Sequence, residues 1–262
     1  MTQEVHDEIA DGIRTLSIDR PQSKNALTGP VLEALTAGFR AAAADRETRV
    51  VILTGRGGSF CSGVDLKVAM MNGPGAIQGS ARDRIAPFHA LIRALRACPK
   101  PVIGLVDGPA VGFGCDLALA CDLRVATEAA YFQEKFVNIG LVPDGGGTFF
   151  WPRLVGLAKA AELVMLGTKL EAAESLRLGV VNRVVPVLEG TAAARAMAGA
   201  LAKGPPRALA RMKMLLQGSL SRDFDAALDA ERDAQVECLE GPEMGEGVMA
   251  FFEKREPRFP PQ

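Results

Sequence analysis

The sequence has few of the residues that bind metals or form disulfides. Its 262 residues include two histidines, and its five cysteines contain no Cys-x-x-Cys pair. Zinc sites need such ligands close together, so we expect no bound metal. An odd number of cysteines behind a polar, acidic N-terminus indicates reduced thiols, and we therefore expect a cytoplasmic protein.

Long apolar runs and a strong net charge are also absent. No apolar run approaches the ~20 residues that a membrane helix needs. The formal net charge of −1 gives no reason to expect nucleic acid or an anionic membrane as a partner. Hydrophobic residues make up 48% and charged residues 23% of the chain, a balance typical of a globular protein. The length suffices for one large α/β domain.

Three motifs of common enzyme classes are missing. The sequence has no Gly-x-x-x-x-Gly-Lys-Ser/Thr run, which would bind nucleotide phosphates, and no Gly-x-Ser-x-Gly nucleophile elbow. The pair Gly112-x-Gly114 lacks the third glycine of the dinucleotide fingerprint, because Leu117 occupies its place. These absences argue against a P-loop, a serine hydrolase or a dinucleotide-binding enzyme.

Two apolar segments, each followed by a glycine-rich turn, are present instead. Val102–Val106 predicts a buried strand and leads into the turn at 108–114, which precedes a helix. Val50–Thr54 predicts a second strand and leads into the turn at 55–66. Free N–H groups at such turns suit an anion, and two of them aimed at one point form an oxyanion hole. A tight packing turn is the alternative interpretation.

Four motifs, in their order and spacing, resemble the enoyl-CoA hydratase/isomerase (crotonase) family. They are Ser59–Leu66, Lys100–Ile103, Asp107–Asp116 and Ile139–Gly147, and the agreement runs from about Asp19 to about Arg255. The resemblance implies an α/β, crotonase-like (ClpP/crotonase) fold. A spiral of β-β-α turns with the CoA-ester site is expected over 1–200, and a helical oligomerisation region over 201–262.

The resemblance also implies a substrate and an assembly. The substrate is expected to be a coenzyme A thioester, with no cofactor, and the protein is expected to form homotrimers or hexamers made of two trimers. By resemblance, the N–H groups of Val64 and Phe113 are the oxyanion donors. The positions expected to contact substrate or coenzyme A are Lys24, Ala26, Ser62, Asp65, Leu66 and Phe136. A solvated loop lysine is the alternative for Lys24.

The proton-transferring groups distinguish the reactions of this family. Its hydratases hold a water molecule with two glutamates, whose positions are occupied here by Asp116 and Phe136. Phenylalanine cannot titrate, so two-glutamate hydration is not expected. Asp144, in the third glycine turn, matches the acid/base carboxylate of some relatives that move a double bond. One such carboxylate suffices, because it removes a proton from one carbon and returns it to another.

We therefore predict an enoyl-CoA isomerase in which Asp144 acts as acid/base and Asp116 is a second catalytic candidate. Asp144 can alternatively be a turn residue, since Pro-Asp-Gly favours turns, and Asp116 can cap or pair within its helix. Hydration of a 2-enoyl-CoA is the main alternative reaction. The resemblance leaves open an aryl-CoA dehalogenase that uses Asp144 as nucleophile and His89 as base, and a non-catalytic relative that binds CoA esters or RNA.

Several local predictions concern the elements around this site. Val5–Ile18 is predicted to be a hairpin, Thr28 to cap the following helix, and Ile85–Ala97 to be a helix. Residues 67–81 are predicted to form a loop over the site, or else an ordinary surface loop. From residue 158 onward the apolar spacing is mainly helical, and one of the helices is predicted over Gly190–Ala202.

Overall fold

A computed structural model describes residues 4–71 and 80–260 of the chain. The described residues form nine strands: β1 (Val5–Ala10), β2 (Ile13–Ile18), β3 (Val50–Gly55), β4 (Val102–Val106), β5 (Pro109–Val111), β6 (Leu123–Thr127), β7 (Tyr131–Gln133), β8 (Leu170–Glu171) and β9 (Arg183–Val185). The six-stranded sheet has the order β1-β2-β3-β4-β6-β9, and the three-stranded sheet has the order β5-β7-β8. Strands β1 and β2 form the predicted hairpin, and the other neighbours in the large sheet are parallel.

Eleven helices cover most of the remaining described residues. They are α1 (Gly29–Ala44), α2 (Leu66–Met71), α3 (Ala81–Ala97), α4 (Phe113–Ala120), α5 (Gly147–Val155), α6 (Leu157–Met165), α7 (Ala172–Arg177), α8 (Gly190–Ala202), α9 (Pro206–Gly218), α10 (Phe224–Leu239) and α11 (Pro242–Glu253). None of these helices is long and apolar enough to cross a membrane.

The strands repeat in a pattern that produces the spiral. Strand β4 of the large sheet is followed by β5 of the small sheet and then by α4, and β6 is likewise followed by β7. The two short strands pair in parallel, with Ala110 opposite Phe132. The structure therefore has the crotonase-like α/β fold expected from the motifs.

The large sheet is buried on both faces, which explains its continuous apolar strands. All five residues of β4 are buried, as expected for a central parallel strand. Side chains alternate between faces along a strand, so Leu53 contributes to the core that contains residues of α1 and α3, while Ile52 packs with Ala194 of α8.

Three local predictions need correction. Thr28 occupies the N-cap position of α1 but makes no capping hydrogen bond through its side chain. Helix α3 begins before residue 85, because Ser80 and Asp83 form a reciprocal capping box. Of the loop predicted over 67–81, residues 67–71 are helical, 72–79 lie outside the described residues, and 80–81 belong to the start of α3.

The helical region is joined to the sheet by a buried lysine. Lys213 of α9 forms an ion pair with Asp122 at 2.7 Å and donates a hydrogen bond to the carbonyl oxygen of Lys100. The Asp122 carboxylate also accepts the N–H of Val102 at 2.8 Å. Helix α9 is thus attached to the start of β4. The division of the chain near residue 200 stays a prediction.

Candidate active site

The two glycine turns lie side by side because the strands before them are in register. An isolated parallel bridge joins Cys61 to Ala110. Val64 and Phe113 each come three residues after a member of this bridge, so they occupy corresponding positions in the two turns. This pairing places the two predicted oxyanion donors in neighbouring segments.

The N–H of Val64 points away from the segment with which its residue pairs. Val64 is bridged to Leu27, and the bonds of this bridge use the carbonyl of Gly63 and the N–H of Asp65. In a parallel bridge the central residue directs its own N–H to the opposite side. The Val64 N–H is therefore not used in this pairing.

The N–H of Phe113 has no partner within its own helix. Phe113 is the first residue of α4, and the first N–H groups of a helix have no partner within it. A Cβ atom added at Gly63 would lie 3.4 Å from the Phe113 nitrogen and 2.8 Å from the carbonyl oxygen of Val111. Gly63 also has a φ of 89°, so glycine meets both requirements of this close approach.

Aromatic side chains surround the second oxyanion turn. The Phe113 ring is buried and meets Phe88 edge to face, with ring centroids 4.9 Å apart. Phe136 is buried too, and its ring would lie 3.9 Å from a Cβ atom added at Gly112. The position at which a hydratase of this family carries its second glutamate is therefore an apolar surface next to the turn.

Asp144 lies in the third glycine turn and is half-buried. Its Oδ1 atom is buried and has no hydrogen-bond partner within the described residues. Burial raises the pKa of Asp144 above its usual value, and the nearby charge of His89 opposes this rise. The charge of His89 therefore acts on Asp144, although the sequence separates the two residues by more than fifty positions. Such a carboxyl group is suited to take up and release a proton.

Asp116 lies directly beneath the third glycine turn. It is completely buried, and its Oδ2 atom accepts the N–H of Gly145 at 2.7 Å. Burial, followed by the charge of Glu134, raises the pKa of Asp116 well above its usual value. Its side chain is therefore enclosed by protein and is attached to the residue that follows Asp144.

Glu134 was not singled out in the sequence, yet it is the partner of Asp116. It is buried, and its Oε1 atom accepts the indole N–H of Trp151 at 2.8 Å. Burial raises the pKa of Glu134 to about 7, although hydrogen bonds from Trp151 and Asp116 oppose this rise. No sequence motif marks Glu134, because its partners come from two other segments.

The residues expected to contact coenzyme A form a connected group. Ser62 donates its N–H to the carbonyl of Lys24, and Asp65 donates its N–H to the carbonyl of Leu27. The Asp65 carboxylate pairs with Arg20 at 3.0 Å and accepts the N–H of Val68 at the start of α2.

The side chains in this group differ in how far they are free to meet a ligand. Lys24 and Leu66 are exposed, whereas Ala26 is buried. Lys24 and Leu66 can therefore contact a ligand directly, while Asp65 holds the segment together. Their contact with coenzyme A stays a prediction.

The fold and the site define a class of enzyme in which two backbone N–H groups lie close together beside a titratable carboxyl group. Comparison with known proteins identifies the family. Residues 8–262 match the family model described as enoyl-CoA hydratase/isomerase, and the chain belongs to that family.

Individual relatives cover nearly the whole chain. The chain is 38% identical to a probable enoyl-CoA hydratase of Rhodobacter capsulatus, covering 96% of each protein. It is 33% identical to the 1,2-epoxyphenylacetyl-CoA isomerase of Escherichia coli, covering 99% of each. Its fold matches the crystal structure of an enoyl-CoA hydratase from Polaromonas sp. JS666 with a TM-score of 0.92 and 35% identity, over 97% of this chain and 99% of that one.

Proposed function

We propose that this protein is an enoyl-CoA double-bond isomerase in which Asp144 carries the proton. The substrate is a 3-enoyl-CoA thioester. The Asp144 carboxylate removes a proton from C2, and the electrons move into a dienolate whose oxygen is held by the N–H groups of Val64 and Phe113. Asp144 then returns the proton to C4, giving the 2-enoyl-CoA with no gain or loss of atoms.

The observation that carries this proposal is the contrast between Asp144 and Phe136. Asp144 has a raised pKa and a buried oxygen atom for which the described part of the chain provides no hydrogen-bond partner. Phe136 presents only a ring where two-glutamate hydration needs a second carboxylate. A single acid/base group suits a proton shift better than the addition of water. The E. coli relative is also named as an isomerase of a CoA ester, although its named substrate is an epoxide.

Hydration of a 2-enoyl-CoA is the second candidate, favoured by the similarity to the probable hydratase of R. capsulatus. In that reaction Asp116, alone or with Asp144, has to hold the water. Asp116 is enclosed by protein and already accepts the N–H of Gly145, and both facts argue against its holding a water molecule.

The third candidate is aryl-CoA dehalogenation, which is favoured by the charge of His89 acting on Asp144.

A paired assay tests the proposal. Purified protein receives a 3-enoyl-CoA in one sample and a 2-enoyl-CoA in the other. Mass spectrometry of the products detects added water, and the ultraviolet absorbance of the conjugated 2-enoyl thioester detects a shift of the double bond. We expect the double bond to move without a gain of water. We expect Asp144→Asn to lower kcat by about 100- to 10,000-fold, the usual contribution of an acid/base group, while CoA-ester binding persists. Addition of water as the main reaction would favour the hydratase instead.

We also propose how the site is completed. The segment containing Lys24, Ser62 and Leu66 binds the coenzyme A moiety, and the thioester is the substrate of an enzyme without a cofactor.

Exposed apolar side chains on the C-terminal helices support assembly into a homotrimer or a pair of trimers. The even charge balance agrees with a cytoplasmic protein that acts on small molecules.

A further inference from the structure

Two buried carboxyl groups lie under the glycine turn that carries Asp144. A Cβ atom added at Gly147 would lie 2.3 Å from Asp116 Oδ1 and 2.8 Å from Glu134 Oε1. Both carboxyl groups therefore press against the backbone of one residue, and glycine is required there because any side chain would collide with them. The turn and the pair of acids are packed as one unit.

The two carboxyl groups are also close neighbours, because an oxygen atom of each lies within 2.8 Å of the same point beside Gly147. Asp116 Oδ1 and Glu134 Oε2 have no N–H or hydroxyl donor within residues 4–71 and 80–260. A carboxylate only accepts hydrogen bonds, so a bond between the two groups requires a proton on one of them. Two bare carboxylates enclosed together would also repel each other strongly.

The surrounding donors indicate which group keeps the proton. Glu134 accepts the indole N–H of Trp151 at 2.8 Å, a hydrogen bond from a side chain that favours the charged form of Glu134. Asp116 accepts a single backbone N–H, from Gly145. The arrangement that satisfies every atom has a neutral Asp116 that donates to an anionic Glu134 through Oδ1 and accepts from Gly145 through Oδ2.

We propose that Asp116 and Glu134 form a proton-sharing pair that positions Asp144. The pair anchors Gly145 by its N–H and Gly147 by contact, and so sets the direction in which the turn presents the Asp144 carboxyl group to the substrate. Asp116 and Glu134 are positioning residues in this proposal, since both are enclosed by protein. The inference rests on the role proposed above for Asp144.

Two variants at one position separate positioning from proton transfer. In Asp116→Asn the amide can donate to Glu134 and accept from Gly145, as the neutral acid does. We therefore expect kcat on a 3-enoyl-CoA to fall by less than about tenfold, the scale of one altered hydrogen bond. Asp116→Ala loses both contacts, and the displaced turn is expected to lower kcat by about 100-fold with little change in KM.

The shared proton can be detected in the absence of substrate. Infrared spectra at pH 8 are recorded for the wild type and for Asp116→Asn, with Asp144→Asn as the matched control. We expect the carbonyl stretch of a protonated carboxyl group in the wild type and in Asp144→Asn, and its loss in Asp116→Asn. Because Asp116→Asn keeps the hydrogen bonds, this test holds even when Asp116→Ala does not fold.

Each outcome has a separate meaning. If Asp116→Asn lost as much turnover as Asp144→Asn, Asp116 would transfer a proton to substrate and the positioning role would be wrong. Full activity of Asp116→Ala, or absence of the infrared band from the wild type, would also overturn the inference. If Asp144→Asn kept wild-type turnover while the band behaved as expected, the proposed function would fail and the shared proton would stand.

Discussion

The pKa of Asp144 is set by two opposed influences. Burial raises it, and the charge of His89 lowers it. A base acts only when deprotonated, so kcat/KM should fall as the pH decreases through this pKa. In His89→Gln the carboxylate loses a favourable charge, and we expect the acid limb of the profile to move to higher pH. The measurement is kcat/KM against pH on a 3-enoyl-CoA for both proteins.

His6→Gln is the matched control for that experiment, since His6 pairs with Asp19 beside the hairpin. It should leave the profile unchanged. A His89→Gln protein that was inactive at every pH would show that His89 takes part in the chemistry, which would favour the dehalogenase reading.

The buried Glu134 makes stability depend on pH. Its pKa rises from 4.5 to about 7 on folding, so between these values the folded state keeps a proton that the unfolded state has released. The free energy of unfolding should therefore decrease as the pH rises through this window, by on the order of 3 kcal/mol. Urea unfolding at several pH values measures it.

Glu134→Gln should remove this contribution, because glutamine does not titrate. Glu162→Gln, a change at an exposed glutamate of α6, should keep the wild-type dependence. Equal slopes for the wild type and Glu134→Gln would contradict the prediction.

At the scale of single residues, the motifs predicted Asp144 and the two N–H donors, because each of them lies inside a short segment with its own glycines. The role of Glu134 could not be predicted from the sequence. Its contacts with Asp116 and Trp151 join residues that are 18 and 17 positions away in the chain, and nothing in the intervening residues marks them as neighbours. The half-burial of Asp144 likewise depends on packing that spacing does not reveal.

At the scale of elements, the first oxyanion turn depends on a close approach at Gly63. In Gly63→Ala the new methyl group would lie 2.8 Å from the carbonyl oxygen of Val111 and would push the two turns apart. We expect kcat/KM to fall by about 100- to 1,000-fold, as when one oxyanion donor is lost. Steady-state kinetics on a 3-enoyl-CoA measure this loss.

Gly58→Ala is the matched control, since Gly58 also has a positive φ but a Cβ atom added there would meet no described atom within 4 Å. It should cost about 1 kcal/mol of stability through backbone strain and leave turnover unchanged. If both variants lost the same activity, backbone strain and not the close approach would be the cause.

The bounds of several helices and strands could be predicted because each of these elements has an apolar pattern of five residues or more. Helix α8 has the predicted bounds, and β3 and β4 agree to within one residue. Strands of two or three residues, such as β7 and β8, leave too short a pattern to detect. The start of α3 was missed because its first turn, Ala81–Arg84, carries no apolar side chain larger than alanine.

At the scale of the whole molecule, the C-terminal helices present apolar side chains to the outside. Leu216, Leu220 and Phe224 are each about 70% exposed or more, an exposure that suggests burial against another subunit. We expect Leu220→Asp/Phe224→Asp to reduce the mass of the particle to that of the monomer, measured by sedimentation. Leu188→Asp alters a leucine that is also exposed, outside these helices, and should leave the trimer intact. A wild type that sediments as a monomer would contradict the proposed assembly.

The ion pair between Lys213 and Asp122 has a consequence for biosynthesis. Asp122 emerges from the ribosome roughly 90 residues before Lys213, a delay on the order of 5 to 20 s at typical rates of synthesis. During that interval the carboxylate beside β4 lacks its cation, and the groove that α9 will cover stays open. The start of β4 is therefore covered late, and a nascent chain that stalls before α9 would leave this groove open to chaperones.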